Sequence, residues 1–257
     1  MEEDTIERIR LLKIPLDIVT QEQLPWTILR LLQTKAGGNI VLLSLWDLLK
    51  ARRNAEYRKF VQEASLVLPI SKSLVSGAKF LTGKTPARYM PFNFVVSLLS
   101  ILEKSEYSLY LLGGSQKVLE KTEKNIRQTF PRIRIVGRHR GRIKKIQEAS
   151  LIEAIHKAAA SILLVAKGVR GGEKWIVRHE GRLNKGFRLW CSDLFEVFAD
   201  KKRRPNQGIF DSGLECLTYI AKNPLKILRF FPYMYYKILL LIYKIFAKQF
   251  EKNAAQS

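Results

Sequence analysis

Residues 107–141 read YSLYLLGGSQKVLEKTEKNIRQTFPRIRIVGRHRG, and their pattern decides the fold class. A compact apolar run, Leu109 to Leu112, stops abruptly at Gly113-Gly114-Ser115. A polar segment follows whose inward positions (Val118, Leu119, Thr122, Ile126) recur at helical spacing, and Pro131 closes it. A β-branched run, Ile133 to Val136, then ends at Gly137, with Gly141 just beyond. Strand, glycine turn, helix, strand, glycine turn is a βαβ unit of a parallel sheet. The paired glycines let the backbone come close to a ligand at the strand's carboxyl end. Ser115 is placed to cap the helix, whose first N–H groups favour a phosphate. The same turn serves equally as a tight connection with no ligand.

The rest of the first 200 residues repeats this alternation. Residues 9–19 predict a short strand, and Thr20 with Gln23 reads as a capping box for a helix through Leu32. Gly37-Gly38 ends that unit, Ile40 to Leu45 is a buried-type strand, and a helix is expected from Trp46 to Ala64. Leu66 to Pro69 is a strand, Ser71 to Leu81 a short helix, 82–91 a polar loop with Arg88, and Pro91 to Leu102 an apolar helix. After the central unit come a helix (Ala149 to Ala160), a strand (Ile162 to Val165), a glycine loop (Gly168 to Gly172) and a helix (Glu173 to Leu183). A strand ending at Trp190 and a helix over Leu194 to Phe198 complete the series. The expected fold is α/β: a Rossmann-like parallel sheet with helices on both faces over 1–200, followed by a helical, membrane-binding appendage over 201–257. Right-handed crossovers bring the loops after the strands to one edge, where open α/β sheets bind ligands. The predicted lining is Ser44, Ile70-Ser71, Gly113-Gly114, Gly137 to Gly141, Gly168 to Gly172 and Ser192-Asp193.

Composition narrows the partners. A chain of 257 residues with 47% apolar content can bury a full core. Its formal charge of +22 points to polyanions: an anionic membrane surface, phosphorylated substrates or nucleic acid. Cys191 and Cys216 form no metal spacing and no disulfide framework. The acidic start, Met1-Glu2-Glu3-Asp4, is unlike a signal peptide.

Beyond Lys201-Lys202-Arg203-Arg204-Pro205 a helix is expected over Gly213 to Ala221, and the chain then turns aromatic and aliphatic from Ile227 to Phe246. The cations Lys222, Lys226, Arg229, Lys237, Lys244, Lys248 and Lys252 share less than half of the helix circumference at about 100° per residue. A cationic stripe beside a wide apolar face predicts a helix lying in a membrane interface over 222–252, each lysine adding about 1 kcal/mol near anionic lipid. Lys237 and the helix-breaking Pro232 argue against a span. The alternative is a helix packed on the chain's own core or on a second subunit.

With these pieces in order, the chain resembles the WecG/TagA/CpsF glycosyltransferases. The shared residues are Leu49 to Tyr57 (LKARRNAEY), Leu66 to Pro69, Arg88, and Tyr110 to Gly114; then Ile135 to Gly137 with Gly141, Gly168 with Glu173 to Ile176, Gly213 to Glu215, and Pro224. The resemblance implies metal-independent, inverting transfer of a sugar from a UDP-sugar to a polyprenyl-diphosphate-linked acceptor at the cytoplasmic membrane face, with no cofactor. It places Ser44, Gly113, Gly114, Gly137, Gly168 and Glu173 at the nucleotide-sugar, and Arg88, Lys226 and Arg229 at the acceptor diphosphate. Several positions depart from the family pattern. The family's threonine and asparagine after its second strand are Leu42 and Ser44 here, and its candidate base, an aspartate, is Ile70. The glutamine before Glu173 is Gly172, and two of three appendage arginines are Tyr219 and Lys226. An isoleucine accepts no proton, so another carboxylate must serve, or the reaction is lost. Glu196 and Asp47 are the candidates for catalysis, with Asp193 and Glu173 also present. The basic loop Arg138 to Lys145, with His139, is a further phosphate candidate or a solvated face. Three readings stand: a membrane-associated transferase of cell-envelope polysaccharide or glycolipid synthesis, a non-catalytic relative acting as a scaffold, and, weakest, a nucleic-acid binder without a recognition motif.

Overall fold

The computed structural model describes residues 6–34, 36–183, 185–204, 206–213 and 230–254. Its centre is a six-stranded, all-parallel sheet built from β3 (Gly38–Leu43), β4 (Leu66–Pro69), β5 (Ser108–Leu112), β6 (Arg134–His139), β7 (Ile162–Val165) and β8 (Phe187–Trp190). The order across the sheet is β4-β3-β8-β7-β5-β6. Strands β7 (ILLV) and β4 (LVLP) are buried at every position, which is why they read as unbroken apolar runs.

Two apolar layers flank the sheet. One is formed by α2 (Leu45–Arg53), α3 (Ala55–Gln62), α4 (Lys72–Thr82), α7 (Glu148–Ala158) and α8 (Glu173–His179). The other is formed by α1 (Leu24–Thr34), α5 (Pro91–Lys104), α6 (Gln116–Thr129) and α9 (Leu194–Phe198). The loop after β5 thus leads to one face and the loop after β7 to the other. Adjacent strands whose connections diverge open a crevice at their carboxyl ends. The loops after β3 and β8 diverge in the same way, toward α2 and α9.

Most predicted elements occur within two or three residues of their expected bounds, and the differences have local causes. Residues 9–19 do not form one strand but a hairpin, β1 (Glu7–Leu11) and β2 (Ile14–Ile18), whose turn residues Leu12 and Lys13 both take positive φ, 51° and 71°. The predicted capping box exists, since Thr20 N donates to Gln23 Oε1 (3.0 Å) and Gln23 N to Thr20 Oγ1 (3.2 Å). The helix expected over 46–64 is broken at Asn54, which closes α2 and caps α3 by accepting from Tyr57 N at 2.7 Å. The α8 helix stops at His179 and continues as one 3₁₀ turn to Arg182. Strand β6 does not stop at Gly137 but runs through it to His139.

The last helix, α11 (Phe230–Ala254), follows α10 (Gln207–Ser212). Pro232 lies among its first described residues, and residues 214–229 before it fall outside the described residues. Tyr236, Leu239 and Leu240 are buried against α4. Gly77 makes room: a Cβ there would lie 1.9 Å from the Tyr236 hydroxyl, which donates to Ser73 O at 3.0 Å. Tyr243 accepts from Arg52 Nη1 (3.2 Å), and Lys244 Nζ reaches Phe80 O (2.9 Å). Truncating Tyr236 to alanine removes the central ring of this contact and is expected to cost about 3 kcal/mol. The check is amide exchange along 233–246, which should accelerate; unchanged protection would refute the docking role.

Candidate active site

The carboxyl edge of the sheet is assembled from loops tied to one another by backbone. Gly113 N donates to His139 O (3.0 Å), Gly141 N to Gly114 O (2.9 Å), Gly114 N to Lys167 O (2.7 Å) and Lys167 N to Ser192 O (2.6 Å). The loops after β6, β5, β7 and β8 are therefore one stitched series. The glycines permit it. A Cβ on Gly113, whose φ is +143°, would lie 2.8 Å from Ala166 O, and one on Gly141 would lie 2.5 Å from the Gly168 carbonyl carbon. Gly113, Gly114 and Gly168 thus stand at the rim as predicted, and the contacts that use their missing side chains are loop-to-loop. Gly137 does not stand there. It lies inside β6, beside a register shift, where a Cβ would meet the Tyr110 ring at 2.4 Å.

A second cluster lies between the N-terminal turns of α2 and α8. Ser44 and Asp47 form a capping box: Asp47 Oδ2 accepts from Ser44 N (3.0 Å) and Oγ (2.5 Å), while Ser44 Oγ accepts from Asp47 N (3.2 Å). Lys50, one turn on, donates to Glu173 Oε2 at 3.2 Å and lies 3.5 Å from the centre of the Tyr57 ring. Tyr57 is buried, and its hydroxyl faces Asp47 and Glu173 without meeting hydrogen-bond geometry to either. Burial, then the charges of Glu173 and Asp47, push the Tyr57 hydroxyl up. Burial also pushes the Glu173 carboxyl above its ordinary range; the Asp47 charge adds to this, and Lys50 opposes it. So Ser44, Asp47 and Glu173 are brought together as one group, with Lys50 and Tyr57 as members that residue-by-residue reading missed. Both lie in the LKARRNAEY stretch, which was the available signal.

The remaining predicted residues are spread more widely. Glu196 is half-buried in α9, where its backbone carbonyl accepts from Lys201 N (2.8 Å) and Lys202 N (3.0 Å). Asp193 is paired with Lys202 Nζ. Ile70 directly follows β4, its N–H bonded to Leu43 O at 2.9 Å, and Ser71 Oγ accepts from Leu45 N at 3.1 Å. Arg88 donates through Nε to Ile70 O (2.9 Å) and through Nη1 to Phe210 O, with its guanidinium stacked 3.7 Å from the Phe210 ring. It ties α10 to the sheet edge. His139, at the end of β6, places Nδ1 2.7 Å from Arg140 O. Lys226, Arg229, Tyr219 and the helix expected over 213–221 fall outside the described residues, Gly213 excepted. Among the described residues no group of three His, Cys, Asp or Glu side chains could hold a metal ion. A cavity of about 280 Å³ lined by Glu103, Lys104, Glu106, Arg132 and Arg134 lies where β5 and β6 begin, the opposite edge from the glycine loops.

The sequence matches the glycosyl transferase WecG/TagA/CpsF family over residues 9–255. The chain belongs to this family. Among similar proteins is the N-acetylglucosaminyldiphosphoundecaprenol N-acetyl-beta-D-mannosaminyltransferase of Bacillus spizizenii, 21% identical over 175 residues, 68% of this chain and 67% of that protein. The protein of the same name from Staphylococcus aureus is 22% identical over 154 residues, 60% of each chain. The matched region thus spans about three-fifths of the staphylococcal relative. Ile70 follows β4, and Gly172 directly precedes Glu173. With glycine at 172, whose φ is +56°, the Trp190 ring approaches to 3.3 Å from the position of an added Cβ.

Proposed function

We propose that this protein is a membrane-associated glycosyltransferase that moves a sugar from a UDP-sugar to a lipid-linked acceptor in cell-envelope polysaccharide or glycolipid synthesis. The observation that carries the reading is the family match along nearly the whole chain, on an all-parallel sheet with diverging loops at its carboxyl edge. The activity for which the relatives are named, transfer of N-acetylmannosamine to a lipid-linked acceptor, supports the acceptor class. The direct test is UDP release and product formation with a panel of UDP-sugars and polyprenyl-diphosphate acceptors. No turnover and no UDP binding across the panel would sink it.

The outer face of α11 supports docking on a bilayer. Phe231, Met234, Tyr235, Ile238, Leu241, Ile242, Ile245 and Phe246 are all exposed and recur at helical spacing opposite the face that packs on α4. Phe231 is 68% exposed and Ile245 59%. Lys237 and Lys244 border this stripe, as an interfacial helix requires. No helix among the described residues is long and apolar enough to cross a membrane. Removing residues 223–257 is expected to abolish sedimentation with anionic vesicles, as is the pair Ile238→Glu and Ile245→Glu. Retention by either variant would contradict the docking face.

A second reading, a non-catalytic relative that binds at the membrane as a scaffold, is favoured by Ile70 and by the engagement of Arg88 with two backbone carbonyls. Turnover by the native protein decides against it.

A further inference from the structure

A sugar transfer with inversion needs a group that accepts the proton of the attacking hydroxyl. The carboxylates near the carboxyl edge are not equivalent. Asp47 is held in its own helix cap by the backbone N–H and the hydroxyl of Ser44. Asp193 is paired with Lys202. Glu196 sits half-buried on the five-residue helix α9, where its backbone carbonyl closes the turn to Lys201 and Lys202. Glu173 differs from all three. It opens α8 directly after the glycine loop of β7, and its side chain keeps 13% of its surface exposed. Lys50 engages Oε2 at 3.2 Å, and the Tyr57 hydroxyl faces the same carboxylate. Beside it the Tyr57 hydroxyl is buried and unsatisfied, a polar atom aimed at the carboxylates and awaiting a partner.

Resting on the transferase reading above, we infer that Glu173 is the catalytic base of this chain, doing the work that Ile70, directly after β4, cannot. In the step, the acceptor hydroxyl oxygen forms a bond to the anomeric carbon while the bond from that carbon to the UDP oxygen breaks. UDP leaves with the bonding electron pair, and the hydroxyl proton passes to Glu173 Oε1, from which it is released to solvent. Lys50 fixes the orientation of the carboxylate and Asp47 acts on it through charge; both are positioning residues. The groups facing Glu173 are Asp47 and Lys50 on α2 and Tyr57 on α3. Burial and Asp47 raise its proton affinity, which brings a carboxylate nearer to the value useful for a base at neutral pH.

The experiment measures kcat, KM and the pH profile of the native protein and three variants with a UDP-sugar and a lipid acceptor. Glu173→Gln is expected to lower kcat by roughly 10²–10⁴-fold with little change in KM for the donor. Because the base must be ionised, native activity falls as pH drops through the Glu173 pKa, which lies above the ordinary carboxylate range. Asp47→Asn removes a charge that raises this pKa, so the acid limb moves to lower pH. Lys50→Met removes the opposing charge, so the limb moves to higher pH. A cluster that only ties α2, α3 and α8 together would change stability without moving the limb in opposite directions. Native kcat retained by Glu173→Gln, or an acid limb that neither charge variant displaces, overturns this assignment and leaves the transferase reading intact. Absence of turnover by the native protein overturns both.

Discussion

A Gly113→Val variant is expected to lose about 3 kcal/mol or more of folding stability. Two independent terms add. A φ of +143° is a conformation that L side chains rarely adopt, which costs on the order of 1–3 kcal/mol. The new Cβ would also press on Ala166, whose backbone N and O lie 2.9 and 2.8 Å away, and backbone stitched to its neighbours on both sides has nowhere to move. Gly83→Ala is the control, since its φ is also positive (74°) but nothing lies within 4 Å of the added atom. It should show the conformational cost alone, about 1 kcal/mol. Denaturant midpoints at equal m-value give the comparison. If Gly113→Val unfolds at the native midpoint, the rim loops part freely and the stitched edge is not a rigid floor for a substrate.

The second large effect is expected at Asp17, a charged residue with 0% exposure in β2. Its carboxylate accepts from Arg8 Nε (2.6 Å) and Nη2 (2.9 Å) and from Val67 N (2.7 Å) in β4. It joins the N-terminal hairpin to the edge strand of the sheet. The ion pair contributes modestly, because the Arg8 side chain is 36% exposed and solvent screens it. The larger loss in Asp17→Ala is the Val67 N–H left buried without an acceptor, about 1–3 kcal/mol, together with the space left behind. A total near 3 kcal/mol is expected, a drop in Tm of about 6–12 °C for a chain of this size. Asp17→Asn keeps an acceptor for Val67 N and should lose less. Equal losses from the two variants would mean that charge, not the orphaned N–H, carries the effect.

The parallel sheet was legible because most of its strands, β6 excepted, are buried on both faces. Such strands appear as short apolar runs, and each one here is followed by a glycine, serine or proline punctuation that sequence reading recognises. The hairpin of β1 and β2 was not, because its turn is Leu12-Lys13, two residues that give no turn signal; burial of Leu12, 2% exposed, is what holds a leucine in that conformation. The break at Asn54 was hidden in the same way. Apolar periodicity ran through it, and only the side-chain cap on Tyr57 N reveals that a second helix starts there.

For the site, the residue types at each strand end followed from the chain alone, as did the alternation that brings those ends to one edge. What the chain alone left open was the use each residue is put to. Gly137 proved to be room for the Tyr110 ring, and Arg88 a tie between α10 and β4. Burial and charge proximity depend on segments far apart in sequence: Lys50 and Glu173 are 123 residues apart, and meet only because α2 and α8 pack on the same face of the sheet. Local pattern therefore determined the layers and the edge, while long-range packing decided which carboxylate is buried beside a lysine and a second acid, and which face of the last helix stays bare.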